Sequence, residues 1–174
     1  MKVMFSNVDV YTVDKRRELI SRLSVGRKPD VIAIQEVRPK NRRYERDMVE
    51  YEIEGYDIYD RNVIGTDAGR GLLLYVNKRL KANLIQMKQE YTENLCIEVR
   101  GTERSAIIAS IYRSPNSSST EDENLNKLIK EIDSKESYYK ILVGDFNMPS
   151  INWERYTTTA GLNSTEFKFI ETIT

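Results

Sequence analysis

The run Val31-Ile32-Ala33-Ile34 is apolar at every position, with Pro29-Asp30 before it and Gln35-Glu36 after it. Such a run has the length of a strand, and a strand that is apolar on both faces is suited to burial between two layers. Ile141-Leu142-Val143 repeats the pattern just before Gly144. The chain is therefore predicted to form a layered fold with buried strands.

Strand and helix patterns alternate along the rest of the chain. Period-two or short apolar runs predict strands at Lys2–Val8, Tyr56–Tyr59, Leu72–Val76, Leu84–Met87, Leu95–Val99 and Ala106–Tyr112. Apolar residues at helical spacing predict helices over Asp14–Leu23 and Glu121–Ile132, and a final helix over Thr165–Ile173. This order mixes hairpins with crossovers, so we expect an α/β sandwich of mixed sheets flanked by helices. A single domain over residues 1–174 is expected from the length.

The chain contains no histidine and only one cysteine, Cys96. The absence of histidine excludes Ser–His and Cys–His nucleophile pairs, His-ligated zinc and the commonest general base at neutral pH. A single cysteine cannot form an internal disulfide and fits a reducing compartment. No apolar run approaches the roughly 18 residues that a membrane helix needs. Any chemistry must therefore use carboxylates, amides, Tyr, Lys or Arg. A metal ion that prefers oxygen ligands could assist them.

The 27 basic and 27 acidic side chains cancel, which argues against a protein that coats nucleic acid by bulk charge. The charges are unevenly distributed, however. Residues 61–120 carry 9 basic and 5 acidic side chains, and residues 121–174 carry 6 and 10. A basic run over residues 38–46 contains Arg38, Arg42 and Arg43. This run fits either a solvated surface loop or a loop that contacts phosphates.

Polar side chains follow four of the predicted strands. They are Asn7, Glu36, Tyr112 and the pair Asp145 and Asn147. In layered α/β proteins the residues just beyond strand carboxyl ends gather at one edge and form the site. Asn7 and Glu36 could then share Mg²⁺ through oxygen ligands.

The remaining three residues suit hydrolysis of a phosphodiester. Asp145 and Asn147 are two positions apart and would point the same way in an extended segment, so that they could orient water and a phosphate oxygen together. A tyrosine hydroxyl can donate to a developing negative charge. Each residue also has a structural alternative: Asn7 as a turn former, Glu36 at the surface, Tyr112 in the core, and Asp145 with Asn147 in an Asx turn.

Several segments carry a resemblance to a known family. They are Lys2–Asn7, Lys15–Leu19, Pro29–Glu36, Gly69–Val76, Ile111–Asn116 and Val143–Asn147. In this order they resemble the endonuclease/exonuclease/phosphatase superfamily, whose fold is DNase I-like. The Gly-Arg-Gly-Leu, Tyr-Arg-Ser-Pro and Gly-Asp-Phe-Asn segments are most similar to the endonuclease domain of LINE-type (non-LTR) retrotransposons.

The resemblance implies a Mg²⁺-dependent DNA endonuclease that nicks its substrate, with Mn²⁺ as an alternative ion. It implies metal binding by Asn7 and Glu36, and catalytic roles for Tyr112, Asp145 and Asn147. Arg113 and Asn116 join Arg38, Arg42 and Arg43 as candidates for DNA contacts. A reverse transcriptase domain in the parent polyprotein and action on nuclear DNA are also implied. The alternatives are an abasic-site nuclease or phosphatase of the same superfamily, or a degenerate non-catalytic DNA-binding or interaction module.

The chain departs from the family near its end. Members of the superfamily carry an Asp–His pair close to the carboxyl terminus of the domain, whereas this chain has no histidine. We therefore expect it to be a DNase I-like domain without its C-terminal part. Weak or absent nuclease activity is the corresponding expectation for the 174 residues alone.

Overall fold

Eight of the ten described strands form two four-stranded sheets that pack face to face, and the other two form a separate two-stranded sheet. The computed structural model describes residues 1–39, 47–63, 69–101 and 104–174. The strands within these ranges are β1 (Val3–Asn7), β2 (Val31–Gln35), β3 (Tyr56–Arg61), β4 (Leu72–Asn77), β5 (Lys81–Ile85), β6 (Asn94–Arg100), β7 (Ser105–Tyr112), β8 (Tyr139–Asp145), β9 (Ile151–Asn152) and β10 (Thr157–Thr158). The helices are α1 (Val13–Leu23), α2 (Ser119–Ser134) and α3 (Thr165–Ile173), with a 3-10 turn at Met48–Tyr51.

The first sheet has the order β1-β2-β4-β3, and β2 is one of its inner strands. Strand β2 pairs in parallel with β1 and antiparallel with β4. Val31 and Ala33 face the second sheet, whereas Ile32 and Ile34 join Leu19 in the cluster that α1 covers. These four apolar residues of β2 are almost completely buried, so the prediction of a strand buried on both faces is confirmed.

The second sheet has the order β5-β6-β7-β8, with β7 and β8 parallel. Its inner face packs on the first sheet through residues such as Ile97 and Ile108. Its outer face packs on α2 and α3, where Leu125, Leu128 and Phe169 are buried. The result is the predicted α/β sandwich of two mixed sheets flanked by helices.

The helix starts follow from local capping. The Thr12 side chain accepts a hydrogen bond from the Lys15 N–H at the start of α1. Helix α2 begins with a capping box, in which Ser118 and Glu121 satisfy each other's backbone N–H groups. These short-range interactions explain why the helix predictions lie close to the observed bounds.

Two strands differ from the predictions. Strand β5 begins at Lys81 and ends at Ile85, so the predicted range Leu84–Met87 lies about three residues too far along the chain. Strand β5 is an edge strand whose side chains are mostly exposed. Its sequence therefore carries little of the hydrophobic alternation from which a strand is predicted. Strand β8 is less buried than the sequence predicts: its residues 141–145 are only half-buried, because β8 is the edge of its sheet within the described residues.

No helix in the described ranges is long and apolar enough to cross a membrane.

Candidate active site at the ends of the parallel strands

Both sheets contain a parallel strand pair, and the carboxyl ends of these pairs meet. In the first sheet Asn7 at the end of β1 is in register with Gln35 of β2. In the second sheet Tyr112 at the end of β7 is in register with Asp145 of β8. Glu36 follows β2 directly. The predicted gathering of polar strand-end residues at one edge is therefore observed.

The amide of Asn7 joins the two sheets at this edge. Its Nδ2 donates to Glu36 Oε1 at 2.8 Å and to Asp145 Oδ2 at 3.1 Å. Its Oδ1 accepts a hydrogen bond from the Asp9 N–H at 3.3 Å. Asn7 thus places two carboxylates within one hydrogen bond of the same nitrogen, although Asp145 is 138 positions away in sequence.

Glu36 is held by a strained backbone and by polar neighbours. Its φ of +56° lies in the left-handed region, which is uncommon for a residue with a side chain and is typical of functional sites. Its side chain is only 12% exposed, and its Oε2 pairs with Arg70 Nη1 at 2.7 Å. A carboxylate whose two oxygens are both held by neighbouring side chains is suited to orient a cation.

Tyr112 is buried near the Glu36 carboxylate. Burial, with the negative charge of Glu36, raises the pKa of Tyr112 to about 12. The hydroxyl therefore keeps its proton at neutral pH. It can act as a hydrogen-bond donor at this edge of the cleft.

Asp145 and Asn147 form a tight turn after β8. The Asn147 N–H donates to Asp145 Oδ1 at 3.1 Å, which is the Asx turn that the sequence allows as the alternative for this pair. The Asn147 side chain donates from Nδ2 to the Arg113 carbonyl at 2.7 Å. Asn147 also adopts a positive φ of +47°. Asp145 therefore belongs both to the turn and to the strand-end site, because its Oδ1 accepts from Asn147 and its Oδ2 accepts from Asn7.

Gln35 is a site residue to which the sequence assigned no role. It is completely buried and connects the sheets, donating from Nε2 to the Ile111 carbonyl at 2.9 Å and to Ser110 Oγ at 3.1 Å. Its Oε1 accepts the Asp145 N–H at 3.0 Å. The one available signal was a polar residue that ends an otherwise apolar buried strand.

Gly144 allows the close approach of β8 to β7 and to the Gln35 side chain. A Cβ at this position would lie 1.9 Å from the Ile111 carbonyl oxygen and 3.3 Å from Gln35 Nε2. The first of these contacts is with backbone, which cannot move aside without disrupting the β7–β8 pairing. The glycine before Asp145 is therefore a steric requirement.

Gly144→Ala is expected to lower the free energy of unfolding by about 2 kcal/mol or more, because overpacking beside fixed backbone is costly. Urea unfolding followed by circular dichroism measures this loss. Gly161→Ala is the matched control, since a Cβ added at Gly161 would have no neighbouring atom within 4 Å. Equal stability of the two variants would contradict the steric requirement.

The candidates for DNA contacts occupy different environments. Asn116 lies at an exposed turn. Arg42 and Arg43 fall within residues 40–46, outside the described residues. Arg38 is buried, and its Nη1 donates to the Asn62 carbonyl at 3.3 Å.

Arg113 is also buried, so its guanidinium is not exposed for the DNA contact that the resemblance implies. Its guanidinium makes two hydrogen bonds to Asp122, from Nε at 2.6 Å and from Nη2 at 3.0 Å. These bonds raise the pKa of Arg113 above its ordinary value. Its Nη1 donates to the Asn147 carbonyl at 3.1 Å. Arg113 therefore supports the Asn147 turn from behind.

The donor set fits a magnesium ion. Within the described residues, no three or more His, Cys, Asp or Glu side chains form a group that could hold a metal. Mg²⁺ does not need such a group, because it usually binds one or two carboxylates and keeps several waters. Glu36, with the Asn7 amide and Asp145 beside it, meets that requirement.

The site opens into a cleft with an aromatic wall. A cavity of about 720 Å³ is lined by Asn7, Asp145 and Asn147 together with the aromatic side chains of Phe5 and Trp153. Trp153 is 44% exposed. Asn7, Asp145 and Asn147 thus border open space beside an exposed aromatic side chain.

Comparison with known sequences assigns the chain to a family of nucleases and phosphatases. Residues 5–172 match the sequence profile of the Endonuclease/Exonuclease/phosphatase family. A comparison with curated protein sequences gave no significant match.

Three solved structures illustrate the similarity of fold. The endonuclease domain of TRAS1, a telomere-specific non-LTR retrotransposon, has a TM-score of 0.69 and 15% identity, covering 99% of this chain and 68% of that chain. The AP endonuclease LMAP from Leishmania major has a TM-score of 0.68 and 15% identity, with coverage of 99% and 65%. D. rerio TDP2 complexed with single-strand DNA product has a TM-score of 0.58 and 19% identity, with coverage of 85% and 61%. The chain thus spans about two thirds of the length of these structures.

Proposed function

The chain belongs to the endonuclease/exonuclease/phosphatase family, and we propose that its strand-end cluster catalyses metal-dependent hydrolysis of DNA phosphodiesters. The observation that carries the proposal is the Asn7 amide, which bonds to both Glu36 and Asp145. It brings a cation-binding carboxylate next to a second carboxylate that is available to act on water. This pairing is what phosphodiester hydrolysis needs when no histidine is present.

We assign each residue of the cluster a role in this reaction. Glu36 is the principal ligand for Mg²⁺ or Mn²⁺, with Asn7 beside it. The bound ion would supply a Lewis acid for a phosphate oxygen. Asp145 accepts the proton of the attacking water. Tyr112, which keeps its proton at neutral pH, donates to the negative charge that develops on the phosphate. Asn147 contacts the phosphate from the adjoining turn.

We further propose that the substrate is duplex DNA, which is nicked in the manner of a retrotransposon endonuclease. The similarity to the TRAS1 endonuclease domain and the open cleft beside Asp145 support this substrate. A reverse transcriptase domain in the same polyprotein and action on nuclear DNA belong to the same proposal. Cleavage at abasic sites is the second candidate, because the fold is as similar to the Leishmania AP endonuclease.

Incubation of the purified chain with supercoiled plasmid tests the proposal. We expect slow conversion to the nicked form in Mg²⁺ or Mn²⁺ and none in EDTA. Glu36→Ala is expected to reduce the nicking rate by about 100-fold, because metal affinity depends on the ligand and its support. Glu18→Ala, which removes an exposed carboxylate on α1, serves as the matched control and should nick at the wild-type rate.

A substrate panel separates the alternatives. Plasmid, an abasic-site duplex and a phosphomonoester are compared under the same conditions. Preference for the abasic duplex would favour the second candidate, and preference for the phosphomonoester would favour a phosphatase. Nicking that survives both EDTA and Glu36→Ala would contradict the metal-dependent proposal. Salt-dependent DNA binding without cleavage of any substrate would indicate a non-catalytic binding module.

A further inference from the structure

The Gly69-Arg70-Gly71 segment places a guanidinium directly on the candidate metal ligand. Arg70 Nη1 lies 2.7 Å from Glu36 Oε2, and Nη2 lies 2.8 Å from Asp9 Oδ1. Only 14% of the Arg70 side chain is exposed. Arg70 Nε also donates to the Arg38 carbonyl at 3.1 Å. All three nitrogens of the Arg70 guanidinium therefore have a partner at this edge of the sheets.

The backbone of the segment holds Arg70 in this position. The Arg70 N–H donates to Glu93 Oε1 at 2.5 Å. Gly69 and Gly71 have φ values of +74° and +81°, which residues with side chains rarely adopt. The two glycines thus allow the chain to turn on each side of Arg70. The backbone that carries the guanidinium is therefore held by the hydrogen bond to Glu93.

The contacts divide the oxygens of Glu36 between two neighbours. Oε2 faces Arg70, whereas Oε1 faces Asn7 and the Asp145 side of the cleft. The same guanidinium pairs with Asp9, and the Arg70 N–H donates a hydrogen bond to the Glu93 carboxylate. Arg70 therefore contacts three carboxylates at the edge of the site, where Arg38 and Lys15 are also close.

We propose that Arg70 is a positioning residue that acts as the fixed cation of this site, orienting Glu36 and keeping its affinity for divalent ions low. The inference rests on the proposed function, because it takes Glu36 as the metal ligand. Arg70 pairs with Oε2, so a bound ion would be held through Oε1, which also accepts a hydrogen bond from Asn7. The positive charge of Arg70 would repel that ion and lower its affinity.

Titration of the chain with MnCl₂ by calorimetry, without DNA, tests this role. Arg70→Gln is expected to bind Mn²⁺ about tenfold more tightly, because a unit charge close to the site is removed. Arg70→Lys keeps the charge and loses the two-pronged contact, so its affinity should stay close to that of the wild type. Arg100→Gln removes an equivalent charge from an exposed pair with Glu98 and is the matched control.

Asp9→Asn provides a second measurement that does not depend on the folding of the Arg70 variants. The Asp9 side chain is 78% exposed, so we expect this variant to fold. It removes the other acidic partner of Arg70, and the affinity for Mn²⁺ should therefore fall below the wild-type value. A purely structural role for Arg70 predicts weaker or unchanged binding in Arg70→Gln.

The order of affinities decides the inference. Tighter binding by Arg70→Gln and weaker binding by Asp9→Asn supports the role of Arg70, even if plasmid nicking is absent and the proposed function fails. If Arg70→Gln folds and binds no more tightly than the wild type, the inference is overturned while metal-dependent nicking can still stand. If Arg70→Gln does not fold, unchanged binding by Asp9→Asn overturns it.

Discussion

Asp145→Asn is expected to reduce the rate of plasmid nicking by about 10²–10⁴-fold, the usual contribution of a general base. An amide cannot take the proton of the attacking water. Its oxygen can still accept the Asn147 N–H, because asparagine forms the same Asx turn as aspartate. The substitution therefore removes the proposed chemistry and preserves the turn. Nicking under single-turnover conditions, with excess enzyme, measures the effect.

Two further measurements complete this test. Asp133→Asn changes a carboxylate that is 83% exposed and should nick at the wild-type rate. Binding of a fluorescent duplex, followed by anisotropy, should remain at least as strong in Asp145→Asn, since a negative charge near the phosphate has been removed. A nicking rate within about threefold of the wild type would show that Asp145 serves only the turn, and the proton would need another acceptor.

Asp122→Ala should have the largest effect on stability, lowering the free energy of unfolding by about 3–5 kcal/mol. The substitution leaves the buried Arg113 guanidinium without its carboxylate partner. An uncompensated buried charge is far more costly than the loss of an exposed pair. Thr165 Oγ1 also donates to Asp122 at 3.1 Å, so α3 loses a contact as well. Urea unfolding measured by circular dichroism gives the change.

Glu18→Ala is the matched control for this second prediction. It breaks the Arg22–Glu18 pair on α1, in which both side chains are more than half exposed. Such surface pairs contribute about 0.3–0.5 kcal/mol. A loss below about 1 kcal/mol in Asp122→Ala would mean that water or another group replaces Asp122 around Arg113.

The strand-end residues show how far local patterns reach. Asn7, Glu36, Tyr112 and Asp145 each end or directly follow a short strand, and this position was sufficient to expect them at one edge. Parallel pairing of β1 with β2 and of β7 with β8 makes the expectation correct. The parallel pairing is essential, because the antiparallel strands β4 and β6 of the same sheets present their carboxyl ends at the opposite edge.

The arginines show where local patterns fail. Arg113 and Asn116 both lie in a polar segment after β7, yet Arg113 is buried on Asp122 and Asn116 is exposed. Arg70 lies in the Gly-Arg-Gly-Leu segment, but its contact with Glu36 joins residues that are 34 positions apart in the sequence. A charged side chain is exposed or buried according to whether a distant partner is present, and that partner is not visible in the neighbouring sequence.

Secondary structure, the layered fold class and the set of strand-end side chains follow from short-range properties of this chain. Hydrophobic periodicity, helix caps and turn residues act over a few positions and can be read without the fold. The pairing of Asn7 with Asp145, the Gln35 link between the sheets and the place of Arg70 depend on which strands lie side by side. Pairing of β2 with β4 brings Arg70 to Glu36. Packing of the two sheets brings Asn7 and Gln35 to Asp145.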